Sequence, residues 1–173
     1  MKIFFVSDSI VSIRDEAGNK TGVKFDTANG NGIGCVLWVS GCEHCCPQCH
    51  NPHTWDFSCG KVFDDNAMQE LLQSLDRPYI SRLTFSGGDP LNPQNRDFIY
   101  EIAKNIKVVF PKISLWCYTG YDFEDVKSCE VIPYLDVRDD GKYDYTLKDV
   151  SLPFCGSRNQ RVKKKKKTLK EGK

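Results

Sequence analysis

The chain has 173 residues, 40% of them hydrophobic and 27% charged, with a formal net charge of +1. This composition is typical of a soluble globular protein with one sizeable core. The longest apolar run near the start, residues 3–6, is too short for a secretory leader or a membrane-spanning helix. We therefore exclude an integral membrane protein and expect no membrane partner.

The charge is divided unevenly along the chain. Residues 162–173 contain seven of the 24 basic residues but only one of the 23 acidic residues. The preceding residues therefore carry a net charge of −5. A body of that sign lacks the basic surface that nucleic-acid binding requires, and no nucleic-acid partner is expected. We predict one domain over residues 1–162 and a basic, disordered tail over residues 163–173.

Nine cysteines are an unusually large number for this length, and four of them lie between Cys42 and Cys49. A secreted disulfide-bonded domain would be shorter and would distribute its cysteines along the chain. Clustered thiols without a predicted leader favour a cytoplasmic location. They also favour a thiolate-bound metal or a redox site.

The first half of the chain contains two strand-like segments and one helix. Residues 3–13 have the composition of a strand, and residues 27–34 are a run of turn formers. A short apolar segment over residues 35–39 predicts a buried strand that ends directly before the cysteine cluster. Asp64 or Asp65 can cap a helix whose apolar residues recur at i, i+3, i+4 and i+7.

Strands and helices alternate in the second half of the chain. Strands are predicted over residues 80–85, 113–118 and 134–137. A helix over about residues 94–108 separates the first two, and a short helix over residues 122–127 separates the last two. The alternation predicts an α/β fold with a parallel sheet and right-handed crossovers.

About four βα units are too few for a closed eight-unit barrel, which needs roughly 200 residues or more. We therefore predict a single-domain, partial (open) βα barrel or a twisted sheet. The cysteine cluster, a Gly-Gly-Asp-Pro turn at residues 87–90, Thr119 and an Asp-Gly-Lys turn at residues 140–142 each follow a predicted strand. Because ligands bind at the carboxyl ends of parallel strands, these groups should meet on one rim.

The cysteine cluster can be divided into two adjoining C-x-x-C pairs or into C-x3-C-x2-C through Cys42, Cys46 and Cys49. A structural zinc site usually takes its two chelating pairs from separate segments, which this cluster lacks. A thioredoxin-like C-x-x-C leaves two cysteines unexplained. Three thiolates from one short loop suit a cubane iron–sulfur cluster with one iron open to an exogenous ligand. The spacing favours Cys46 over Cys45, although Cys45 remains an alternative ligand.

This spacing after a strand, followed one strand later by Gly87–Pro90, resembles the radical S-adenosylmethionine (SAM) superfamily. Longer motifs narrow the resemblance to the activating proteins of anaerobic ribonucleoside-triphosphate reductases, which are glycyl-radical activating enzymes. These motifs are Val39–Cys42, Cys49–Pro52 with Trp55, Thr84–Leu91, Trp116–Tyr121, Asp136–Tyr143 and Gly156–Arg161. They occur in the expected order over most of residues 28–162.

The resemblance implies a radical SAM fold and the function of an oxidoreductase. Cys42, Cys46 and Cys49 would hold a [4Fe-4S] cluster, and SAM would be reductively cleaved there to methionine and a 5′-deoxyadenosyl radical. That radical would generate a glycyl radical on the large subunit of anaerobic (class III) ribonucleoside-triphosphate reductase. A low-potential donor such as flavodoxin would supply the electron. No side chain is expected to act as a catalytic acid or base.

The resemblance also implies which residues bind SAM. Gly87 and Gly88 would let backbone groups approach its methionyl amino group, and Asp89 would fix the turn. Thr119 would reach the ribose or the carboxylate. Lys142 would neutralise the SAM carboxylate, and Asp140 would orient Lys142 or a ribose hydroxyl.

Two other classes of function remain open from the residues. One is a different small radical SAM enzyme, such as the activase of another glycyl-radical enzyme or a carboxy-deazaguanine synthase. The other is not an enzyme but a zinc-binding or thiol-redox interaction module, in which the Gly-Gly-Asp-Pro turn is coincidental.

Overall fold

The computed structural model describes the backbone of residues 2–4 and, with side chains, residues 25–165. Seven strands and three α-helices are present in these segments. The strands are β1 (Lys2–Phe4), β2 (Gly34–Val39), β3 (Lys61–Val62), β4 (Arg82–Gly87), β5 (Ser114–Thr119), β6 (Val137–Asp140) and β7 (Arg161–Lys164). The helices are α1 (Asp65–Leu75), α2 (Arg96–Val109) and α3 (Phe123–Val126).

All seven strands form one sheet in the order β3-β1-β2-β4-β5-β6-β7. The four central strands β2, β4, β5 and β6 are parallel, whereas β1, β3 and β7 pair antiparallel at the two sides. The predicted α/β class with a mostly parallel sheet is therefore confirmed. The finer prediction of a partial βα barrel stays a prediction.

Helices α1 and α2 cover one face of the sheet. Helix α1 begins where the Asp64 carboxylate accepts a hydrogen bond from the Ala67 backbone N–H at 2.9 Å. The buried side chains of both helices pack on alternate residues of the strands, because side chains point to one face at every second position. This core includes Leu37, Leu71, Leu75, Phe85, Ile99, Ile102, Ile106 and Leu115. Among the described residues, no helix is long and apolar enough to cross a membrane.

The opposite face is polar and is built around a buried ion pair. The Arg82 guanidinium is fully buried and donates to the Asp26 carboxylate at 2.7 Å. Arg82 also donates to the Asn29 backbone carbonyl at 2.8 Å and to the Thr84 hydroxyl. At Gly30 a Cβ would lie 2.6 Å from the Arg82 side chain, so only glycine fits there. The segment before β2, predicted as a run of turns, is thus fixed across the sheet.

The last two strands differ from the sequence predictions. The strand predicted over residues 134–137 begins instead at Val137, because Pro133 lies in a 3-10 turn that ends at Tyr134. Strand β7 was not predicted, since its sequence is Arg-Val-Lys-Lys. The proposed start of the tail at residue 163 falls within β7. Of the strand predicted over residues 3–13, only residues 3 and 4 are described, as part of β1, and the rest lies outside the described residues.

Burial raises the pKa of Asp26, but hydrogen bonds from Arg82 and Asn29 lower it by more, so the pKa lies below its ordinary value. The ion pair therefore stabilises the fold at neutral pH and is lost as the pH falls through this lowered pKa. Replacing Asp26 with Asn would leave a buried guanidinium without its anion. We expect Asp26→Asn to lower the free energy of unfolding at pH 7 by about 3–5 kcal/mol.

Urea unfolding at pH 7 and pH 3 tests this expectation, since the difference from the wild type should shrink at the lower pH. Glu124→Gln is the control, because it removes an exposed ion pair with Lys127 and should leave the midpoint unchanged. Equal midpoints for Asp26→Asn and the wild type at pH 7 would contradict the role of the buried pair.

Candidate metal centre and cofactor site

The loop after β2 forms one side of a cavity of about 680 Å³ at the carboxyl ends of the parallel strands. Cys42, Cys46 and Cys49 line this cavity together with Gly87 and Gly88. The predicted convergence of these groups on one rim is thus what the structure shows. Cys45 is exposed and is not among the described residues that line the cavity.

The cysteine loop is closed by its own backbone. The Gly41 N–H donates to the Thr54 carbonyl at 2.7 Å, and the Cys42 N–H donates to the Trp55 carbonyl at 3.0 Å. The buried Thr54 hydroxyl donates to the Asn51 carbonyl at 2.7 Å, in the 3-10 turn that follows the cysteines. These bonds join both ends of the loop to residues 51–55. They close the loop so that Cys42, Cys46 and Cys49 line the cavity.

Burial opposes ionisation of two thiols of this loop, Cys42 and Cys46. Burial raises the pKa of Cys42 to about 12, with smaller increases from the nearby Asp89, Cys46 and Cys49. Burial also raises the pKa of Cys46, although the positive charge of Lys142 acts in the opposite direction. These thiols are therefore protonated in the metal-free protein, and binding of iron displaces the protons. Three soft sulfur donors on one loop fit an iron–sulfur cluster.

Another donor set in the same region is explained by hydrogen bonding. One ligand atom each of Cys42, His44 and Asp89 lies within 4.8 Å of the others. His44 Nε2 is 2.8 Å from an Asp89 oxygen, so these two groups already satisfy each other. Of the three cysteines that line the cavity, this donor set contains only Cys42. A centre held by all three cysteines is therefore favoured over a mononuclear metal site at Cys42, His44 and Asp89.

Gly87 and Gly88 are required by the protein backbone itself. Gly87 has a φ of +105°, and a Cβ there would lie 2.6 Å from the Val39 carbonyl oxygen. A Cβ on Gly88 would lie 2.5 Å from the Gly41 carbonyl oxygen. The turn after β4 thus packs directly on the start of the cysteine loop. This backbone contact is enough to require glycine at both positions, whether or not a ligand binds. Both residues also line the cavity.

Asp89 connects three strand ends at the rim. Its carboxylate is 1% exposed and accepts hydrogen bonds from the backbone N–H groups of Leu91 and Gly120, each at 2.8 Å. The Thr119 hydroxyl lies 2.9 and 3.1 Å from its two oxygens, and His44 of the cysteine loop is the fourth partner. The carboxylate is therefore fully occupied within the protein. Asp89 fixes the turn, as predicted, and it also fixes the cysteine loop.

Thr119 lines the cavity, but its hydroxyl is used by the protein. It donates to Asp89 and accepts from the Tyr121 backbone N–H at 3.2 Å. Its predicted contact with a ribose or carboxylate group stays a prediction.

The sequence predicts Asp140 and Lys142 at the rim of the cavity, but neither residue lines it. Asp140 is buried on the other face of β6, where Arg138 at 2.6 Å and Arg161 at 2.8 Å occupy its two oxygens. Lys142 is exposed and is not among the described residues that line the cavity. Its charge acts on Cys46. We expected both residues in a turn, and the later start of β6 instead places Asp140 inside the strand.

Asp139 lines the cavity and was missed from the sequence. The sequence predicts a strand over residues 134–137 and therefore places Asp139 in the turn that follows. In a turn, side chains do not alternate between the two faces of a sheet, so no face could be assigned to Asp139. In the observed register Tyr118 pairs with Asp139 and Trp116 with Val137, so these four side chains share one face of the sheet. Correct placement of the strand would have identified Asp139 from the period of two.

The segment Gly156–Gln160 closes one side of the cavity. The side-chain amide oxygen of Gln160 accepts hydrogen bonds from the backbone N–H groups of Gly156 at 3.0 Å and Ser157 at 3.1 Å. Its amide donates to the Gly141 carbonyl at 3.2 Å, and the Asn159 amide donates to the Lys142 carbonyl at 2.7 Å. The segment is therefore held against the turn that follows β6.

An α/β sheet with three thiols and a glycine turn at one rim defines a cofactor-binding protein of the iron–sulfur type, and comparisons with known proteins agree. Residues 28–163 match a family model described as a 4Fe-4S single cluster domain. An anaerobic ribonucleoside-triphosphate reductase-activating protein of Enterobacteria phage T4 is 44% identical over 137 residues, which cover 79% of this chain and 87% of the relative.

Bacterial proteins of the same name are similarly close. Those of Pasteurella multocida and Escherichia coli K12 are 40% and 38% identical, each over 141 residues. The matches cover 78% and 79% of this chain, and 89% and 92% of the two relatives. The chain therefore belongs to the 4Fe-4S single cluster domain family and to the family of anaerobic ribonucleoside-triphosphate reductase-activating proteins.

Replacing Asp89 with Asn tests whether its hydrogen bonds hold the cysteine loop against the ends of the strands. In Asp89→Asn an amide NH2 replaces one oxygen and faces a backbone N–H donor, so at least one buried donor loses its partner. We expect the free energy of unfolding of the metal-free protein to fall by about 1–3 kcal/mol. We also expect less iron to be retained per chain after reconstitution, because the cysteine loop loses its tie to β5.

Urea unfolding and iron analysis measure the two effects separately. Asp97→Asn is the control, since that carboxylate is 96% exposed and should change neither quantity. An Asp89→Asn protein with wild-type stability and iron content would contradict the assigned role.

Proposed function

We propose that this protein activates an anaerobic ribonucleoside-triphosphate reductase by generating a glycyl radical on it. The observation that carries the proposal is that Cys42, Cys46 and Cys49 line one cavity with the Gly87–Gly88 turn. The names of the relatives at 38–44% identity support the choice of target protein. The alternatives of another small radical SAM enzyme or a zinc module lack such support.

Cys42, Cys46 and Cys49 are the proposed ligands of a [4Fe-4S] cluster. All three thiols reach the cavity, whereas the neighbouring Cys45 is exposed outside it. A cluster held by these three thiolates would keep one iron open to SAM. When bound, the cluster and SAM together supply the one-electron reductive cleavage that yields methionine and a 5′-deoxyadenosyl radical, which takes a hydrogen atom from a reductase glycine.

The chain itself holds and shields these groups. The backbone of Gly87 and Gly88 lies beside the cysteine loop and, in this proposal, would meet the methionyl end of SAM. Lys142 brings a positive charge close to Cys46 and favours the thiolate form of that ligand. Asp89 positions the loop and the turn relative to each other, and the Gly156–Gln160 segment excludes water from one side.

The proposed protein substrate would approach the rim of the cavity beyond β6. Val150, which lines the cavity, is 90% exposed, and Tyr145 and Leu147 of the same segment are 44% and 37% exposed. Exposed apolar side chains beside a cofactor site fit a docking protein. We propose that the sheet forms the wall of a partial βα barrel of the radical SAM type, whose open side admits the glycine-bearing segment.

A low-potential donor such as flavodoxin and a cytoplasmic location complete the proposal. All nine cysteines lie in the described residues and none of them is in a disulfide bond. This pattern fits a reducing compartment. The sequence predicts an activase domain over residues 1–162; since β7 extends to Lys164, the proposed domain includes all of β7 and the proposed tail follows it.

A glycyl-radical assay tests the proposed function. The reconstituted protein, an anaerobic ribonucleoside-triphosphate reductase, SAM and a strong reductant are mixed without oxygen, and the reductase is examined by electron paramagnetic resonance. We expect a glycyl-radical doublet with the wild type and with Cys45→Ala. We expect none with Cys46→Ala, since that variant lacks one of three ligands.

Cys45 and Cys46 are adjacent cysteines, so the two alanine variants are closely matched. A doublet of equal size with Cys46→Ala would contradict the assigned ligand set. A wild-type protein that holds zinc, leaves SAM intact and yields no doublet would support the interaction module instead.

A further inference from the structure

The charge of this protein is divided between two parts of the structure. Of the residues described with side chains, those up to the end of β6, residues 25–140, contain nine basic and 17 acidic residues, a net charge of −8. Residues 141–165 contain seven basic and two acidic residues, a net charge of +5. A division of this size gives two sides of the molecule opposite potentials, and such a field orients a charged partner before contact.

Residues 141–165 form the side of the molecule beyond β6. Strand β7 pairs with β6 and is the last strand of the sheet. Lysine side chains on an edge strand prevent unwanted pairing with other chains, so the lysines of β7 have a structural explanation. Three basic residues that precede β7 lie outside the strands of the sheet and need a different explanation. These three residues, Lys142, Lys148 and Arg158, are called the basic rim below.

Backbone contacts hold the basic rim together as one surface. Lys148 pairs with Ser157 in an isolated β-bridge. The next residue, Arg158, donates its backbone N–H to the carbonyl of the residue before Lys148 at 3.0 Å. The Lys142 carbonyl accepts a hydrogen bond from the Asn159 side-chain amide at 2.7 Å. The three cations are therefore attached to neighbouring positions of one folded segment.

The basic rim is exposed, and the protein neutralises little of its charge. Lys142 and Lys148 are exposed, and neither forms an ion pair with another residue that the structure describes. Arg158 lies 3.4 Å from Asp149, but 67% of the Arg158 side chain is exposed. An ion pair at such a position contributes little free energy. The charges of the basic rim are thus available to a partner.

The basic rim lies beside the proposed cluster. Lys148 lines the cavity, and the charge of Lys142 reaches Cys46, one of the three proposed iron ligands. An electron passes rapidly between two proteins only when their redox groups approach each other closely. A protein that reduces the cluster must therefore dock on a surface next to the cysteine loop, as the basic rim is.

The electron donor that the proposed function requires has a complementary charge. It must have a low reduction potential in order to reduce the cluster. Negative charge around a redox group lowers its reduction potential, because an added electron is repelled. A low-potential donor such as flavodoxin therefore presents acidic groups next to its redox group. Such a surface meets exposed cations with the most favourable electrostatic energy.

We propose that the basic rim is the docking surface for the acidic protein that donates the electron. This inference rests on the proposed function and adds the place at which the electron enters the protein. In the step, the donor loses one electron and the cluster gains it, and no covalent bond forms or breaks.

Stopped-flow reduction of the reconstituted cluster by photoreduced flavodoxin, without oxygen, tests the inference. One variant combines Lys148→Glu with Arg158→Glu, and Lys142 is kept because its charge also acts on Cys46. We expect the second-order rate constant at low salt to fall by about tenfold or more, since like charges then face the donor. A variant with Gln at both positions should have an intermediate rate constant.

The matched control combines Lys104→Glu with Lys112→Glu. It makes the same change in net charge with two exposed residues, on α2 and just before β5, that do not line the cavity. This control should be reduced at the wild-type rate. Salt supplies a second control, because the difference between the basic-rim variant and the wild type should disappear at about 1 M salt, where the Debye length is about 3 Å.

Equal rate constants for the basic-rim variant and the wild type at low salt would overturn the inference. A difference that persists at high salt would also overturn it, since the effect would then be structural. So would weaker binding of the reductase without slower reduction by flavodoxin, or a wild-type protein that flavodoxin does not reduce. The glycyl-radical assay uses a strong reductant in place of flavodoxin, so it tests the proposed function separately from each of these results.

Discussion

The candidate site depends on one buried carboxylate that joins three separate parts of the chain. Asp89 accepts hydrogen bonds from its own turn, from the end of β5 and from His44 in the cysteine loop. A carboxylate that is 1% exposed would be strongly destabilising without partners. Because the donors come from different elements, they can all be satisfied in only one arrangement. The position of the cysteines relative to the glycine turn follows from that arrangement.

The two glycines and the buried Asp26–Arg82 ion pair both hold segments of the chain against the sheet near the cavity, by different physical means. Gly87 and Gly88 let the turn after β4 touch the backbone of β2 and the cysteine loop, where any side chain would collide. Asp26 and Arg82 hold the segment before β2 across the polar face of the sheet. The helices supply the apolar core on the other face. Polar interactions therefore define the side of the sheet that carries the cavity, and apolar packing defines the side that does not.

Much of this structure could be predicted from the sequence, because the relevant signals are local. Helices α1 and α2 follow from apolar periodicity, and Gly87–Pro90 and the cysteine spacing stand directly after strands. The position of β6 could not be predicted, since Pro133 and a charged strand obscure its start. That error of a few residues left Asp139 and Asp140 outside the predicted strand, so the face of the sheet on which each side chain lies could not be predicted from alternation. The hydrogen bonds of Asp89 to His44 and Thr119 join residues 30–45 positions apart, and no local pattern reveals them.

The central claim is that three cysteines of this chain leave one iron of a four-iron cluster open. Electron paramagnetic resonance of the reduced, reconstituted protein, recorded before and after addition of SAM, tests it most directly. We predict a cluster spectrum that changes when SAM is added, because SAM would bind the open iron. A cluster spectrum that SAM leaves unchanged would mean that SAM does not reach an open iron, and it would contradict the account.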